Sequence, residues 1–271
     1  MIKLALRYLC SSAVLLLVLA TQGWAGITIE SRMTDEHQAK AGESYRGKIL
    51  LRNTDATPAE AKVYQTDYDF SVDKGILYGP PGRLARSNAK WTSLSREVVV
   101  IPGNSAETLD FEVKVPTGGG LSGTYWSVIM VEPISKSSAE SGAQATQATA
   151  QVRQVVRFAV QVVTHIGKTG SGELAFSNPQ IVSAQDKHFL EIDVANTGQR
   201  WLIPGFWLEL YSESGNPIGK FQAEQTRLYP GTSSRIKIDL GNTPKGKYLG
   251  MVAADGTGDN LFGANVELEI K

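Results

Sequence analysis

Short β-branched and aromatic segments, each closed off by Gly, Pro, Asn or Asp, run the length of this chain and leave no room for a long helix. Residues 48–52, 97–101, 109–115 and 125–131 are of this kind. An amphipathic helix needs a 3.6-residue apolar period sustained over a window of about 11 residues. No stretch of this chain supplies one. Many short strands with turn signals every ~8–12 residues predict an all-β sandwich or barrel.

The chain also repeats itself loosely, which predicts two such units in tandem. Asn53-Thr54 closes an early strand as Asn196-Thr197 closes a later one. Pro102-Gly103-Asn104-Ser105 precedes the strand at 109–115, and Pro230-Gly231-Thr232-Ser233 precedes the one at 235–240. Gly123-Thr124-Tyr125 and Gly246-Lys247-Tyr248 each lead into an apolar strand. Pro-Gly makes a turn, and a Tyr opening an inner strand can bury its ring and close a corner with its hydroxyl. The expected fold is two immunoglobulin-like β-sandwich domains, at 26–166 and 173–271. The small, flexible run 167–172 would be their linker.

The first 25 residues read as a secretory signal. Lys3 and Arg7 give a basic start, residues 13–20 an apolar run, and Gly23-Trp24-Ala25 small residues at a cleavage site. The run is too short for a spanning helix, which takes ~20 apolar residues, so no membrane insertion is expected after cleavage. Cleavage removes Cys10, the one cysteine. Disulfides, zinc–thiolate sites and thiol nucleophiles are thereby excluded from the mature chain. The whole chain carries 27 basic and 27 acidic side chains. Losing Lys3 and Arg7 leaves a net charge near −2 and no basic cluster, which argues against a nucleic-acid partner.

No catalytic pattern emerges. His37, His165 and His188 are scattered, and neither a His-x-x-x-His nor a Gly-x-Ser-x-Gly spacing occurs. Asp67-x-Asp69-x-Ser71-x-Asp73 imitates a calcium loop, but Val72 and Tyr78 stand where Gly and Glu are required. It reads instead as a solvated strand end. Gly167-Lys168-Thr169 lacks the earlier Gly of a phosphate loop. No cofactor or metal is expected, and the chain reads as a binding protein rather than an enzyme. Trp91, Trp126, Trp201, Trp207 and Tyr211 suggest either inter-sheet packing or a carbohydrate platform. Trp201, in the turn Gly198-Gln199-Arg200-Trp201, is the one expected near the interdomain cleft.

With these segments placed, residues 26–166 resemble the N-terminal domain of periplasmic pilus-assembly (fimbrial) chaperones. The likeness rests on the opening strand at 26–32, on a strand at 49–53 ending Arg52-Asn53-Thr54, and on a third at 58–64 headed by Pro58. Pro102-Gly103-Asn104-Ser105 before a strand ending Val115-Pro116, and a Ser/Ala/Thr/Gln-rich loop at 134–150 before a long last strand, complete it. The second half is more weakly similar to the smaller sandwich of such proteins.

The resemblance implies a periplasmic protein that binds a pilin-like or surface subunit by β-strand addition from the last strand of its first domain. Val152, Gln154, Val156, Phe158 and Val160 would be the donated row. Period two allows the same row to be the domain's own core. The family anchors its client's carboxylate with one cation from the opening strand and one from the last. Arg32 and Arg157 are the candidates here, with an ordinary surface charge as the alternative for each. The alternative function is a structural or adhesive envelope module, held at the cell surface, without chaperone activity.

Overall fold

The computed structural model describes residues 26–134, 156–184, 187–256 and 260–271. The signal at 1–25, all of the 134–150 loop beyond Ile134, and the donor candidates Val152 and Gln154 lie outside them.

Seventeen strands and one 3₁₀ turn, Ala89–Trp91, make up the regular structure among the described residues. In the first half, β1 (Ile27–Ile29), β3 (Ser44–Asn53), β8 (Ala106–Lys114) and β6 (Thr92–Leu94) form a four-stranded sheet in the order β1-β3-β8-β6. The facing sheet runs β2-β10-β9-β4-β5. Its strands are β2 (Thr34–Ala39), β10 (Phe158–Ile166), β9 (Gly123–Ile134), β4 (Ala59–Ser71) and β5 (Gly75–Gly79), with β7 (Val98–Ile101) also on β4. Lettered along the chain, these are the A-B-E-D and G-F-C sheets of an immunoglobulin sandwich. The second half repeats the plan. One sheet is β11 (Leu174–Ala184), β12 (Lys187–Asn196) and β15 (Ser233–Gly241). The other is β14 (Pro217–Gln222), β13 (Gly205–Ser212), β16 (Gly246–Asp255) and β17 (Leu261–Ile270).

Strand alternation builds each core. Ile49 and Leu51 on β3, with Leu109, Phe111 and Val113 on β8, face Ala61, Val63, Ile129, Val131, Val160 and Val162 across the first sandwich. Gly47 stands opposite Phe111, and a Cβ there would lie 2.1 Å from the ring, so the missing side chain is what lets the ring cross β3. In the second sandwich Leu190, Ile192 and Val194 meet Phe206, Leu208, Leu210, Val252, Leu268 and Ile270. Burying each such side chain stabilises by ~1.5–3 kcal/mol, enough to hold the register of every inner strand against a one-residue slip.

The internal repeat has a physical basis. Asn53 and Asn196 are both buried at a strand end. Asn53 Nδ2 donates to the Thr57, Ile101 and Pro102 carbonyls, at 2.8, 3.1 and 3.2 Å. Asn196 Nδ2 donates to the Arg200 and Leu228 carbonyls at 2.8 and 2.9 Å. The two tyrosines differ. Tyr248 buries its ring and donates its hydroxyl to the Pro244 carbonyl at 2.7 Å, closing a tyrosine corner. Tyr125 instead packs its half-buried ring against Trp91, 4.7 Å away.

Asp67 departs from the solvated strand end expected of it. It is 2% exposed and accepts from the backbone N–H groups of Gly82, Arg83 and Leu84 at 2.8, 2.7 and 2.7 Å, and from the Ser87 hydroxyl. The carboxylate thus ties loop 80–87 to β4.

Candidate functional site

The opening strand splits between the two sheets. Glu30 N still bonds to the Leu50 carbonyl in the first sheet, while the Met33 carbonyl accepts from Gln161 N in the second. Packed sheets are ~10 Å apart, and Ser31 and Arg32 span the gap, the Ser31 hydroxyl still accepting from Leu50 N at 3.3 Å. As a result β2 begins late against β10. The two strands run parallel from Gln161↔Thr34 to Ile166↔Ala39, whereas β10 pairs with β9 along its whole length from Phe158↔Val131.

Gln161 N–H points toward β2, so by the two-residue alternation Ala159 presents its N–H and C=O to the same side. No strand occupies that side among the described residues. Among the described residues Ala159 therefore marks an open edge. Phe158, half-buried, points inward beside it, and half-buried Val156 lies just before the strand. Met33, well exposed, stands at the start of β2. An extended segment laid along this edge would gain main-chain hydrogen bonds from Ala159 and apolar contact with Val156 and Phe158.

The expected donor row needs one correction. Val160 is 1% exposed and packs in the core of the first sandwich, so it is committed to its own fold rather than offered. The opposite row of β10 is also covered, by the second sandwich: Val163 lies under Tyr229, with Trp126 beside it. Val156 and Phe158 are the row members left at the edge.

Arg32 and Arg157 both precede the first paired residues of two parallel strands, so they sit at the same end of the β2–β10 pair. Both are exposed. Arg157 lies on the outer face of the sheet against Tyr64, whose hydroxyl donates to Glu132 Oε2 at 2.9 Å.

Below the open edge, the outer face of the sheet meets the second sandwich. Trp201 N donates to Thr124 Oγ1 at 3.0 Å, Thr124 Oγ1 is 2.9 Å from His165 Nδ1, and His165 Nε2 is 2.9 Å from Glu36 Oε1. One tautomer satisfies the chain: Thr124 donates to Nδ1, and Nε2–H donates to Glu36. Burial holds the His165 pKa below its ordinary value, an effect reinforced by Arg200 and opposed by Glu36. Gln161 Oε1 accepts from Arg227 Nη1 at 3.0 Å and from the Tyr229 hydroxyl. Trp201 is at this junction, as expected, its ring centroid 5.0 Å from that of His165 and 5.7 Å from that of Tyr229.

The linker run is tied down. Gly123 N donates to Thr169 Oγ1 at 3.0 Å, Gln199 N to the Ser171 carbonyl at 2.8 Å, and Arg200 Nη1 to the Thr169 carbonyl at 3.0 Å.

The other aromatic candidates serve packing or pair with charge. Trp126 is buried and donates Nε1 to the Tyr68 carbonyl at 2.7 Å. Trp207 and Tyr211 lie on the outer face of β13, both hydrogen-bonded to Glu209, with Lys220 Nζ 4.3 Å over the Trp207 ring. Lys220 covers the ring face a sugar would need. Among the described residues no group of three or more His, Cys, Asp or Glu could hold a metal ion, and no helix is long and apolar enough to cross a membrane.

Sequence reading missed Arg227 and Tyr229. They lie between two strands of the second half and carry no local pattern; only folding brings them to Thr34 and Gln161.

No protein-family model and no curated protein sequence matches this chain. Among solved structures it is similar to a chain from a chaperone–tip adhesin complex of CFA/I fimbriae biogenesis, with a TM-score of 0.49 and 10% identity over 90% of this chain and 99% of that one. It is similar to the class 5 fimbriae chaperone CfaA, with a TM-score of 0.46 and 9% identity over 91% and 100%. A third likeness is to a chain from the CsuC–CsuE chaperone–tip subunit pre-assembly complex of Acinetobacter baumannii, with a TM-score of 0.47 and 12% identity over 90% and 98%.

Proposed function

We infer that this chain is a periplasmic, chaperone-like binding protein that receives an incomplete β-structured subunit by strand addition at the start of β10. The observation that carries the reading is the edge at Ala159, unpaired among the described residues and flanked by half-buried Val156 and Phe158. Main-chain hydrogen bonds would supply affinity, and the two apolar side chains would select alternate residues of the subunit. Nothing in this role calls for catalysis.

The test is recovery of a partner from the native envelope with the chain tagged after Lys271. One small β-rich subunit at near-equal stoichiometry is expected. Ala159→Pro removes the N–H offered at the edge, and Val156→Glu places a charge beside it. Both should abolish recovery while the thermal midpoint of the free protein moves little. Undiminished recovery with both variants would overturn strand addition at this edge. Recovery of envelope polymer in place of a subunit would favour the structural-module alternative.

A further inference from the structure

β2 has no hydrophobic face with which to find its place on β10. Thr34 to Gln38 are polar on both sides of the strand, and Ala39 is its one buried position. A strand polar on both faces has a weakly specified register, so particular contacts must set it. At the far end His165 on β10 reaches Glu36, and Gly167 N donates to the Ala39 carbonyl at 3.0 Å. At the near end, beside the open edge, the contact comes from the second sandwich.

Arg227 Nη1 donates to Thr34 Oγ1 at 2.9 Å and to Gln161 Oε1 at 3.0 Å. Thr34 and Gln161 are cross-strand partners, the first rung of the β2–β10 ladder. One nitrogen therefore joins the two strands where their pairing begins. Arg227 is itself held in place. Its neighbours Leu228 and Tyr229 are buried, Leu228 is bonded to Leu202 in both directions at 2.8 and 2.9 Å, and the guanidinium lies 4.7 Å from the Trp201 ring centroid. Its Nε is buried without a hydrogen bond among the described residues, a costly arrangement that an uncharged side chain of like length avoids. Packing at the junction does not call for a guanidinium here; a bridge between Thr34 and Gln161 does.

Chain length explains what the rung controls. Ser31 is held to the first sheet by Leu50 N, and Thr34 to the second by Arg227. Three residue steps reach about 10 Å, and packed sheets are ~10 Å apart. Residues 31–34 are therefore taut, with nothing spare to lie along β10. Without the rung the next fixed point is Glu36, at His165. That slack lets Arg32 swing opposite Ala159, its place when the parallel register is continued back from Gln161↔Thr34. The chain then closes its own edge, and an intramolecular strand competes at high effective concentration.

We propose that Arg227 is a positioning residue for strand addition: by locking Thr34 to Gln161 it fixes where β2 begins on β10 and keeps the edge at Ala159 clear for a partner strand. This rests on the reading of Ala159 as the receiving edge. It makes docking of the second sandwich a condition for presenting that edge on the first.

The test combines amide hydrogen exchange, read by NMR on ¹⁵N-labelled protein of residues 26–271, with recovery of subunit from the native envelope. In Arg227→Gln the Gln161 amide, which donates to the Met33 carbonyl at 2.9 Å, should exchange about tenfold faster. Ile129 and Ile192, one in each core, should keep their rates, which a generally destabilised fold would not allow. Thr34→Val removes the bridge from the other side without touching the packing of Tyr229, and should act alike. The double variant should be no faster than Arg227→Gln alone, because both changes remove one bridge. Subunit recovery should fall severalfold in each. Unchanged Gln161 exchange in both variants, equal acceleration throughout the chain, or full subunit recovery by Arg227→Gln would overturn the proposal. If the parent chain itself recovers no subunit, the reading of the edge fails, and the Gln161 exchange alone decides whether Arg227 sets the rung.

Discussion

The Trp126 and Tyr229 rings lie 4.6 Å apart and within 16° of parallel, one on β9 of the first sandwich and the other in a loop of the second. Tyr229 is 1% exposed, and the rings of Tyr68, Phe70 and Trp201 surround it. It is a plug between the sandwiches. Tyr229→Ala should cost about 3–5 kcal/mol, as removal of a buried aromatic does, and should raise the radius of gyration measured by small-angle scattering. Tyr229→Phe, losing only the hydroxyl contact with Gln161, should cost about 1 kcal/mol and leave the shape unchanged.

Gly123 opens β9 with φ +76°, and a Cβ there would lie 2.0 Å from the Gln199 carbonyl oxygen. Left-handed backbone alone costs ~1–2 kcal/mol for a residue with a Cβ, and the clash forces the two sandwiches apart. Gly123→Ala should therefore lower stability by at least ~2 kcal/mol in urea unfolding. Gly118→Ala, where nothing lies within 4 Å, should stay within about 0.5 kcal/mol of the parent.

The His165 relay makes the junction sensitive to acid. Its folded-state pKa is lowered, chiefly by burial, so the unfolded chain binds the proton more readily than the folded one. Stability is then full above the ordinary histidine pKa of ~6.5 and falls as pH drops through that value toward the lowered one. Protonation would also turn Nδ1 into a donor facing Thr124 Oγ1, which already accepts from Trp201 N. The groups facing the imidazole are Glu36, Arg200, Thr124 and Trp201. Urea midpoints taken from pH 7.5 to 5 should decline, and His165→Gln should flatten that decline.

Asn53 and Asn196 satisfy buried carbonyls at equivalent places in the two sandwiches. Asn53→Ala and Asn196→Ala should each cost about 1–3 kcal/mol, the penalty for stranding buried acceptors. They occupy separate cores with no shared partner, so the double variant should lose the sum of the two. A marked shortfall in calorimetry would mean that the two sandwiches unfold as separate units.

Much of the architecture was readable along the chain because period-two alternation is a local property. Leu190, Ile192 and Val194 declare an inner face wherever the strand ends up. Asn53 and Asn196, with their Pro-Gly turns, announced a repeated corner that both sandwiches use. Tyr248 closes the corner anticipated for it, whereas Tyr125, in the same sequence context, stacks on Trp91 because that ring lies within its reach. The candidate site was less readable. In β10 both rows are covered, Val160 and Val162 by the first sandwich's own core and Gln161, Val163 and His165 by groups on the outer face. Parity states which residues share a face but not what covers it.

The sequence by itself determined an all-β chain, its division into two immunoglobulin-like sandwiches, and the strand that ends the first of them, because hydrophobic alternation and turn chemistry act over a few residues. Tertiary structure alone decided that Val160 is core, that Asp67 is a buried loop anchor, and that among the described residues no strand pairs with Ala159 on the β2 side. It also decided that Arg227 meets Thr34 and Gln161 across the junction. Each of these depends on which distant segments arrive alongside, and no local pattern encodes that neighbour.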